Sequence, residues 1–384
     1  LTSDGDMSGH TTAVRLEQIT LREIGLPLKE PFRISSGVCT DRRIMLLELR
    51  DADGATTWSE CVAGETPNSS SETIDTAWIA TAEYVAPRVV GTTFMRAEDV
   101  HPALELNFRG HEMAKAGVEM GMWALFAEKM RTSLSRLLGG ARAEIATGIS
   151  LGIQDSPEAL VERAGRALAE GYQKVKIKIE PGHDIEFIRA VRTKFPQAPL
   201  MADANNAYTL ADTAHLAKLD EFSLMMIEQP LSRDDLVRHA ELQRALRTPI
   251  CLDESITSVE RAEDMITLHS GRIINIKPGR VGGFQQSKAI HDLCKRNDIP
   301  VWCGGMLESG VGRAYNVALA SLPNFTKPGD VSPSARYWAR DIVTPEWTMD
   351  KNGMVRVPSG PGIGVAVDVN RIDDLTVRIQ KLHA

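Results

Sequence analysis

Charged side chains recur at a regular interval in the second half of the chain. The series is Lys178, Asp203, Glu228, Asp253 and Lys277, at intervals of 25, 25, 25 and 24 residues. Each charge stands near the end of a short apolar run, and helical patterns separate the runs. Because one strand and one helix lie between successive charges, we expect the five side chains to converge where parallel strands end.

The residue types in this series indicate a metal site. Three carboxylates would repel one another unless a cation lay among them. Oxygen ligands without His or Cys favour a hard cation, so the pattern predicts Mg²⁺, with Mn²⁺ as a substitute. Lys176 and Lys178 share one face of their strand, and lysines serve as general bases when burial and nearby cations lower their pKa. The sequence therefore predicts removal of the proton next to a substrate carboxylate.

Taken singly, each of these charges has a simpler explanation. An aspartate at a strand end most often caps a helix or a turn, and two lysines would suit a solvated edge strand. The common register of the five charges favours a site instead. Strand alternation also predicts that Asn205 shares the face of Asp203, and that Glu254 points away from the face of Asp253.

The pattern of elements from residue 144 onward predicts a barrel. Seven short apolar runs alternate with helical periods, namely IATGISLG, KVKIKIE, PLMADAN, LMMIEQP, PICLDES, RIINIKPG and PVWCGGM. Strands buried on both faces and separated by helices indicate parallel βαβ units, and no Rossmann-type glycine fingerprint is present. We therefore predict an α/β fold with a TIM-type barrel over residues 144–346, whose crossover helices include 184–194, 234–246 and 258–268.

The first third of the chain predicts a smaller α+β capping domain over residues 7–135. Its strand-like runs are 14–24, 43–51 and 56–62, and its helical patterns are 71–84 and 112–129. Residues 29–41 are turn-rich and predict a mobile loop that closes over the site. The strand-like segment 347–384 exceeds what the barrel needs, and we expect it to pack back on the capping domain.

Composition narrows the classes of partner. A net charge of −7 without a long basic run argues against nucleic acid and membrane surfaces, which favours a small-molecule substrate. No stretch of 18 apolar residues occurs, and residues 1–10 lack the features of a signal peptide. The five cysteines are scattered and form no CxxC pair, so neither a disulfide framework nor a zinc site is expected. We predict a cytoplasmic protein.

Six blocks of the sequence resemble one family. In order they are KIKIEPGHD, MADANNAYTL, MIEQPL, PICLDES, NIKPGRVGG and VWCGGMLESGVGR. They are similar to the o-succinylbenzoate synthases and N-succinylamino acid racemases, in the muconate lactonizing enzyme subgroup of the enolase superfamily. The resemblance covers most of the chain. It implies a modified (β/α)7β barrel with an N-terminal capping domain, a Mg²⁺-dependent lyase or isomerase acting on a small carboxylate, and a homo-oligomer.

The resemblance also implies roles for single residues. Asp203, Glu228 and Asp253 are implied to bind Mg²⁺. Lys178 is the implied acid and base on one face of the substrate, Lys277 lies on the other face, and Lys176 helps to stabilise the enediolate. The residues implied to contact the substrate are Phe32 of the closing loop, Ser150, Asn205, Gly304, Gly305, Met306, Glu308 and Ser309.

The chain departs from the family pattern at two positions. In the family Asp often follows Trp where this chain has Trp123-Ala124, and an aromatic is expected where it has Asn68.

Several functions remain open at this point. The same residues suffice for synthase and racemase activity, whether in menaquinone biosynthesis or in amino acid metabolism. Muconate cycloisomerase and dipeptide epimerase are the alternatives, although residues 328–332 lack the DxD associated with dipeptide epimerases. A non-catalytic binding module would be expected to lack a ligand or a lysine, and none is missing.

Overall fold

The structure is a computed structural model that describes residues 12–34 and 37–384. The predicted start of the capping domain at residue 7, and positions 35 and 36 of the predicted loop, lie outside the described residues.

The first part of the chain is built on an antiparallel sheet. Its strands are β1 (Val14–Ile34), β2 (Gly37–Asp51), β3 (Thr56–Cys61), β4 (Thr93–Phe94) and, from the far end of the chain, β16 (Thr376–His383). The strand order is β16-β1-β2-β3, and β4 also pairs with β1. The end of the chain therefore pairs with the first strand of the capping sheet.

Helices cover one face of this sheet and connect it to the barrel. They are α1 (Ile74–Ala80), α2 (Val100–Glu105), α3 (Glu112–Lys129) and α4 (Leu134–Leu138). Helix α3 is buried along most of its length. It lies close to the sheet because Gly121 has no side chain: a Cβ there would be 2.8 Å from Leu49 Cδ1. The Oγ of Ser59 also donates to the Gly117 carbonyl at 2.6 Å.

The second part is a parallel barrel. Its strands are β6 (Ile149–Leu151), β7 (Val175–Lys178), β8 (Leu200–Asp203), β9 (Ile227–Glu228), β10 (Ile250–Leu252), β11 (Ile273–Ile276) and β12 (Val301–Cys303), paired in chain order. The helices between and after them are α5 (Pro157–Ala169), α6 (Ile185–Lys194), α7 (Thr213–Leu216), α8 (Leu236–Ala245), α9 (Val259–Leu268), α10 (Phe284–Arg296) and α11 (Gly310–Ala320). Seven strand and helix units follow one another, as the sequence predicts.

An extended segment closes the barrel between β12 and β6. The Asp330 N–H donates to the Cys303 carbonyl at 2.8 Å, and the Gly148 N–H donates to the Gly329 carbonyl at 2.7 Å. The segment occupies the eighth strand position, which makes the architecture a (β/α)7β barrel.

The interior of the barrel changes character along its axis. Its floor is an apolar layer of Met201, Met226, Cys251, Ile273 and Trp302. The side chain two residues after each of the first three is a carboxylate, and strand alternation places those carboxylates above the floor. An apolar layer therefore lies beneath the carboxylates of the barrel mouth.

The remaining elements connect the two parts. Strands β5 (Glu144–Ala146) and β14 (Met354–Arg356) pair with each other, as do β13 (Val343–Thr344) and β15 (Ala366–Val367). Helix α12 (Val369–Leu375) then leads into β16, so the final segment, expected to be strand-like, also contains a helix. Across the described residues, we find no helix with the length and apolar character needed to span a membrane.

The predicted loop at residues 29–41 is the main correction to the predicted elements. Its described residues continue β1 and β2 as a hairpin, in which Phe32 pairs with Cys39 and Arg33 with Val38. The register shifts between Pro27 and Phe32. Pro27 and Pro31 lack the N–H that a regular ladder uses, and prolines are typical of loops. The sequence of this stretch therefore resembles that of a loop. Its movement over a substrate stays a prediction.

Candidate active site

Two lysines of β7 meet the first two carboxylates at the barrel mouth. The Nζ of Lys178 lies 2.6 Å from Asp203 Oδ2, and the Nζ of Lys176 lies 3.2 Å from both Asp203 Oδ2 and Glu228 Oε2. All four side chains are buried. Alternation along β7 therefore points both lysines into the barrel, as the sequence predicts.

A second ionic group forms on another side of the mouth. Lys277, directly after β11, lies with its Nζ 2.8 Å from Oδ2 of Asp253, directly after β10. The guanidinium of Arg280 contacts the other oxygen of Asp253. Sequence reasoning did not single out Arg280, although it stands three residues after Lys277 in the KPGR motif.

Two further charges were missed beneath Lys176. Asp330, in the closing segment, accepts from Lys176 at 2.5 Å and lies 3.0 Å from the Nζ of Lys174. The ammonium of Lys174 is also 3.5 Å from the ring centroid of Trp302. Lys174 continues the alternation of the two lysines and could have been found that way. Asp330 carries no such signal, because it lies outside any regular strand.

The predicted orientation of Glu254 is wrong. Its Oε1 accepts from Asn205 Nδ2 at 3.0 Å, so its side chain reaches the site instead of pointing away. The cause is that β10 ends at Leu252, after which strand alternation no longer applies. Asn205 itself lies where it is expected, with its Oδ1 2.6 Å from Lys178 Nζ.

Burial and close charges shift the pKa values in this cluster in opposite directions. Burial, reinforced by the neighbouring Asp203 charge, raises the pKa of Glu228 to about 8. Burial also opposes ionisation of Asp203, but the ammonium groups of Lys178 and Lys176 hold its pKa well below the usual range. The pKa of Lys176 is raised despite burial, because Asp330 and Glu228 stabilise the charged form. The charge of Asp203 is therefore compensated by its ammonium neighbours, whereas that of Glu228 is compensated less fully.

The chemistry of the donor groups fits a hard cation. The predicted ligands are all carboxylates, and two further buried oxygens near them, Glu254 Oε2 and Asn275 Oδ1, have no hydrogen-bond partner within the described residues. In the described part of the chain, no three His, Cys, Asp or Glu side chains already surround a common metal position. The lysine ammonium groups contact the carboxylate oxygens instead, so binding of Mg²⁺ by these carboxylates would require the lysine side chains to move away.

A cavity of about 300 Å³ opens above the cluster, between barrel and capping domain. Lys178 and Lys277 both line it. Of the residues implied to contact the substrate, those that line this cavity are Phe32, Asn205, Gly305 and Met306.

The other residues implied to contact the substrate do not line this cavity. Ser150 is buried on β6 beside Lys176, and its Oγ has no partner within the described residues. At Gly304 a Cβ would be 2.6 Å from Lys277 Cε, so this glycine leaves room for the lysine. Glu308 accepts from the Met306 N–H at 2.8 Å, and Ser309 caps α11 and donates to Glu60 at 2.6 Å. Their contact with a substrate stays a prediction.

Both parts of the chain match known families. Residues 17–139 match the mandelate racemase / muconate lactonizing enzyme N-terminal domain, and residues 159–371 match the enolase C-terminal domain-like family. A crystal structure of an enolase superfamily member from Listeria innocua superposes with a TM-score of 0.93 at 39% identity, covering 96% of this chain and 99% of that one. The fold and these matches define the class: a capped-barrel enzyme of the enolase superfamily.

Sequence relatives narrow the class further. An o-succinylbenzoate synthase from Geobacillus kaustophilus is 47% identical over 371 residues, which cover 97% of this chain and 98% of the relative. An N-succinylamino acid racemase from Thermus thermophilus is 47% identical over 364 residues, which cover 95% and 98%. The chain belongs to the o-succinylbenzoate synthase and N-succinylamino acid racemase family, and enolase superfamily members generally use Mg²⁺.

Proposed function

We propose that this enzyme removes the proton α to a substrate carboxylate and acts as an o-succinylbenzoate synthase, an N-succinylamino acid racemase, or both. One observation carries the proposal. Lys178 and Lys277 come from strands separated by three others, yet both line the same cavity. Two bases that border one cavity from different strands can reach different faces of a bound substrate.

The first step is common to both reactions. The neutral amine of Lys178 takes the α-proton, and the electrons of the broken C–H bond move into the carboxylate to give an enediolate. The ammonium of Lys176, which pairs with Asp330, places positive charge beside the developing negative charge. The Mg²⁺ that Asp203, Glu228 and Asp253 would hold supplies further positive charge at the substrate carboxylate.

The second step distinguishes the reactions. In racemisation, the ammonium of Lys277 donates a proton to the opposite face of the enediolate, and the reverse direction exchanges the two roles. In dehydration, the enediolate expels the β-hydroxyl, which leaves as water after taking the proton from Lys178. Lys277 then acts through its charge.

Parallel assays on the purified enzyme test the proposal. Formation of o-succinylbenzoate is followed by absorbance, and racemisation of N-succinyl amino acids by polarimetry. We expect at least one activity in the wild type and none in Lys178→Ala, because both reactions begin at this lysine. Circular dichroism shows whether the variant is folded. A wild type inactive in both assays, or a folded Lys178→Ala variant with undiminished turnover, would refute the proposal.

A further inference from the structure

The cations that line the cavity differ in their ionic partners. Four basic side chains line it: Arg42, Lys178, Lys277 and Arg280. Three of them form ion pairs with Asp203 or Asp253. Within the described residues, Arg42 forms no salt bridge, although Asp41 and Glu65 line the same cavity. Arg42 is therefore the lining cation whose charge is left for a ligand.

The surroundings of Arg42 make this absence of partners unusual. The side chain lies on β2, where Arg42 pairs with Leu26, and only 5% of its surface is exposed. Among the described residues its Nε and Nη2 atoms find no hydrogen-bond partner. A buried guanidinium with unsatisfied donors is costly, and such groups are normally paired.

A fully buried carboxylate on the adjacent strand is already hydrogen-bonded to other groups. Glu60 lies on β3 and accepts from the Oγ of Ser309 at 2.6 Å and from the Gly312 N–H at 3.1 Å. These bonds tie it to the start of α11. A planar guanidinium with free N–H groups suits a carboxylate, which accepts two parallel hydrogen bonds.

The geometry points to Arg42 as the binding residue for a second carboxylate of the substrate, at the end of its succinyl arm. This inference rests on the proposed function, since both proposed reactions use a substrate that carries a succinyl group. The reacting carboxylate belongs with the ionic cluster on the barrel, and the distal carboxylate then lies toward the capping domain. A volume of about 300 Å³ is at the lower end of ordinary ligand sites, which suits a small dicarboxylate.

The test compares two substrates that differ only in the distal charge. One is an N-succinyl amino acid, and the other is its N-succinamyl analogue, in which an amide replaces the distal carboxylate. In the wild type, we expect kcat/KM to favour the succinyl compound by about tenfold to a hundredfold, typical of a charged hydrogen bond. Arg42→Met should remove this preference by lowering kcat/KM for the succinyl compound far more than for the amide. Arg42→Lys should retain part of the preference.

Arg43→Met is the matched control. Arg43 is the neighbouring residue on the same strand, but it pairs with Glu23 at 2.7 Å and with Asp75 at 2.9 Å outside the cavity. This variant should keep the wild-type preference. An unchanged preference in Arg42→Met, or an equal loss for both substrates, would overturn the role of Arg42 and leave the proposed function intact.

Calorimetry with the same two compounds separates this inference from the proposed function. If the wild type binds the succinyl compound more tightly and Arg42→Met does not, the inference holds even without turnover, and only the proposed function fails. If the wild type binds both compounds equally, the inference fails whether or not turnover is seen.

Discussion

The cavity has one wall on the barrel and one on the capping domain, and the two walls differ in whether their cationic side chains have ionic partners. On the barrel wall, Lys178 and Lys277 each lie within 2.8 Å of a carboxylate oxygen, and every lysine of the cluster has an ionic partner. On the capping wall, Arg42 is equally buried but has no such partner among the described residues. Under the proposed function, the side chains that exchange protons are held in a network, whereas the side chain proposed to recognise a substrate group is left with free donors. The proposal thus assigns the chemistry to the barrel wall and the selectivity to the capping wall.

The walls also differ in how they are supported. The barrel charges stand at the ends of short parallel strands above an apolar floor, and neighbouring strands fix their positions. The capping wall includes a hairpin that contacts the barrel through backbone hydrogen bonds and exposed ion pairs. The Ile153 N–H donates to the Arg33 carbonyl at 3.1 Å, and the Lys29 N–H donates to the Tyr337 carbonyl at 2.9 Å. Contacts of this kind can break and form again, which suits a wall that opens and closes.

The largest expected effect concerns the barrel wall alone. Excess chelator should abolish activity and Mg²⁺ should restore it, because three carboxylates without a soft ligand define the predicted metal site. Glu228→Gln should reduce kcat by at least about a thousandfold, since it removes one predicted metal ligand and one of the ionic partners of Lys176. Activity is measured after dialysis against chelator and after addition of each divalent cation. Full activity in excess chelator would contradict this account of the barrel wall.

A smaller effect is expected at the hairpin. The guanidinium of Arg33 lies 3.4 Å from Glu180 and 3.4 Å from Asp155 on the barrel. Because exposed ion pairs are weak, Arg33→Ala should raise KM by about two- to fivefold and leave kcat nearly unchanged. Hydrogen exchange in residues 29–41 should increase in this variant and decrease when a tight substrate analogue binds.

Arg238→Ala is the control for the hairpin experiment. Arg238 lies on α8 and forms an exposed ion pair with Asp235 at 2.8 Å, and among the described residues α8 forms no ion pair with the hairpin. Its KM and the exchange of residues 29–41 should match the wild type. Exchange in the hairpin that is unaffected by the analogue would rule out a closing movement.

The smallest effect concerns the contact between the capping domain and the barrel. Burial raises the pKa of Glu60 to about 8 and that of Glu119 to about 7, against opposing hydrogen bonds from barrel helices. A carboxyl group whose folded-state pKa is raised stabilises the fold fully below its unfolded pKa, and this contribution is lost as pH rises through the folded value. We therefore expect Tm to fall by a few degrees between about pH 5 and 8.

Two variants identify the source of that pH dependence. Glu60→Gln should make the fall in Tm shallower, because the amide does not ionise. Glu17→Gln changes a carboxylate that is half exposed beside Arg50 and should leave the slope as in the wild type. Parallel slopes for the wild type and Glu60→Gln would show that this carboxylate does not link pH to stability.

The sequence predicts the barrel wall better than the capping wall, for physical reasons. Periodicity reveals charges at the ends of regular strands, so Lys178 and Asp203 were found together, and helix α3 has the predicted bounds. Glu254 was misplaced because it follows the end of β10, and Asp330 was missed because its segment is not a regular strand. In both places, tertiary contacts decide the direction of the side chain.

The features of the capping wall are harder to predict from the sequence. Arg42 and Arg43 are adjacent, and nothing local shows that one is buried and the other paired at the surface. The hairpin resembled a loop because its prolines and short polar residues conceal the strand pattern. Both features depend on tertiary contacts, which sequence spacing does not record.

The central claim is that Lys178 and Lys277 serve opposite faces of one substrate. NMR of α-proton exchange in heavy water, with each enantiomer of an N-succinyl amino acid, tests it most directly. Lys277→Arg should block racemisation and still exchange the α-proton of one enantiomer, because Lys178 serves its own face. Lys178→Arg should show the opposite selectivity. Equal exchange of both enantiomers by Lys277→Arg would contradict the assignment of one base to each face.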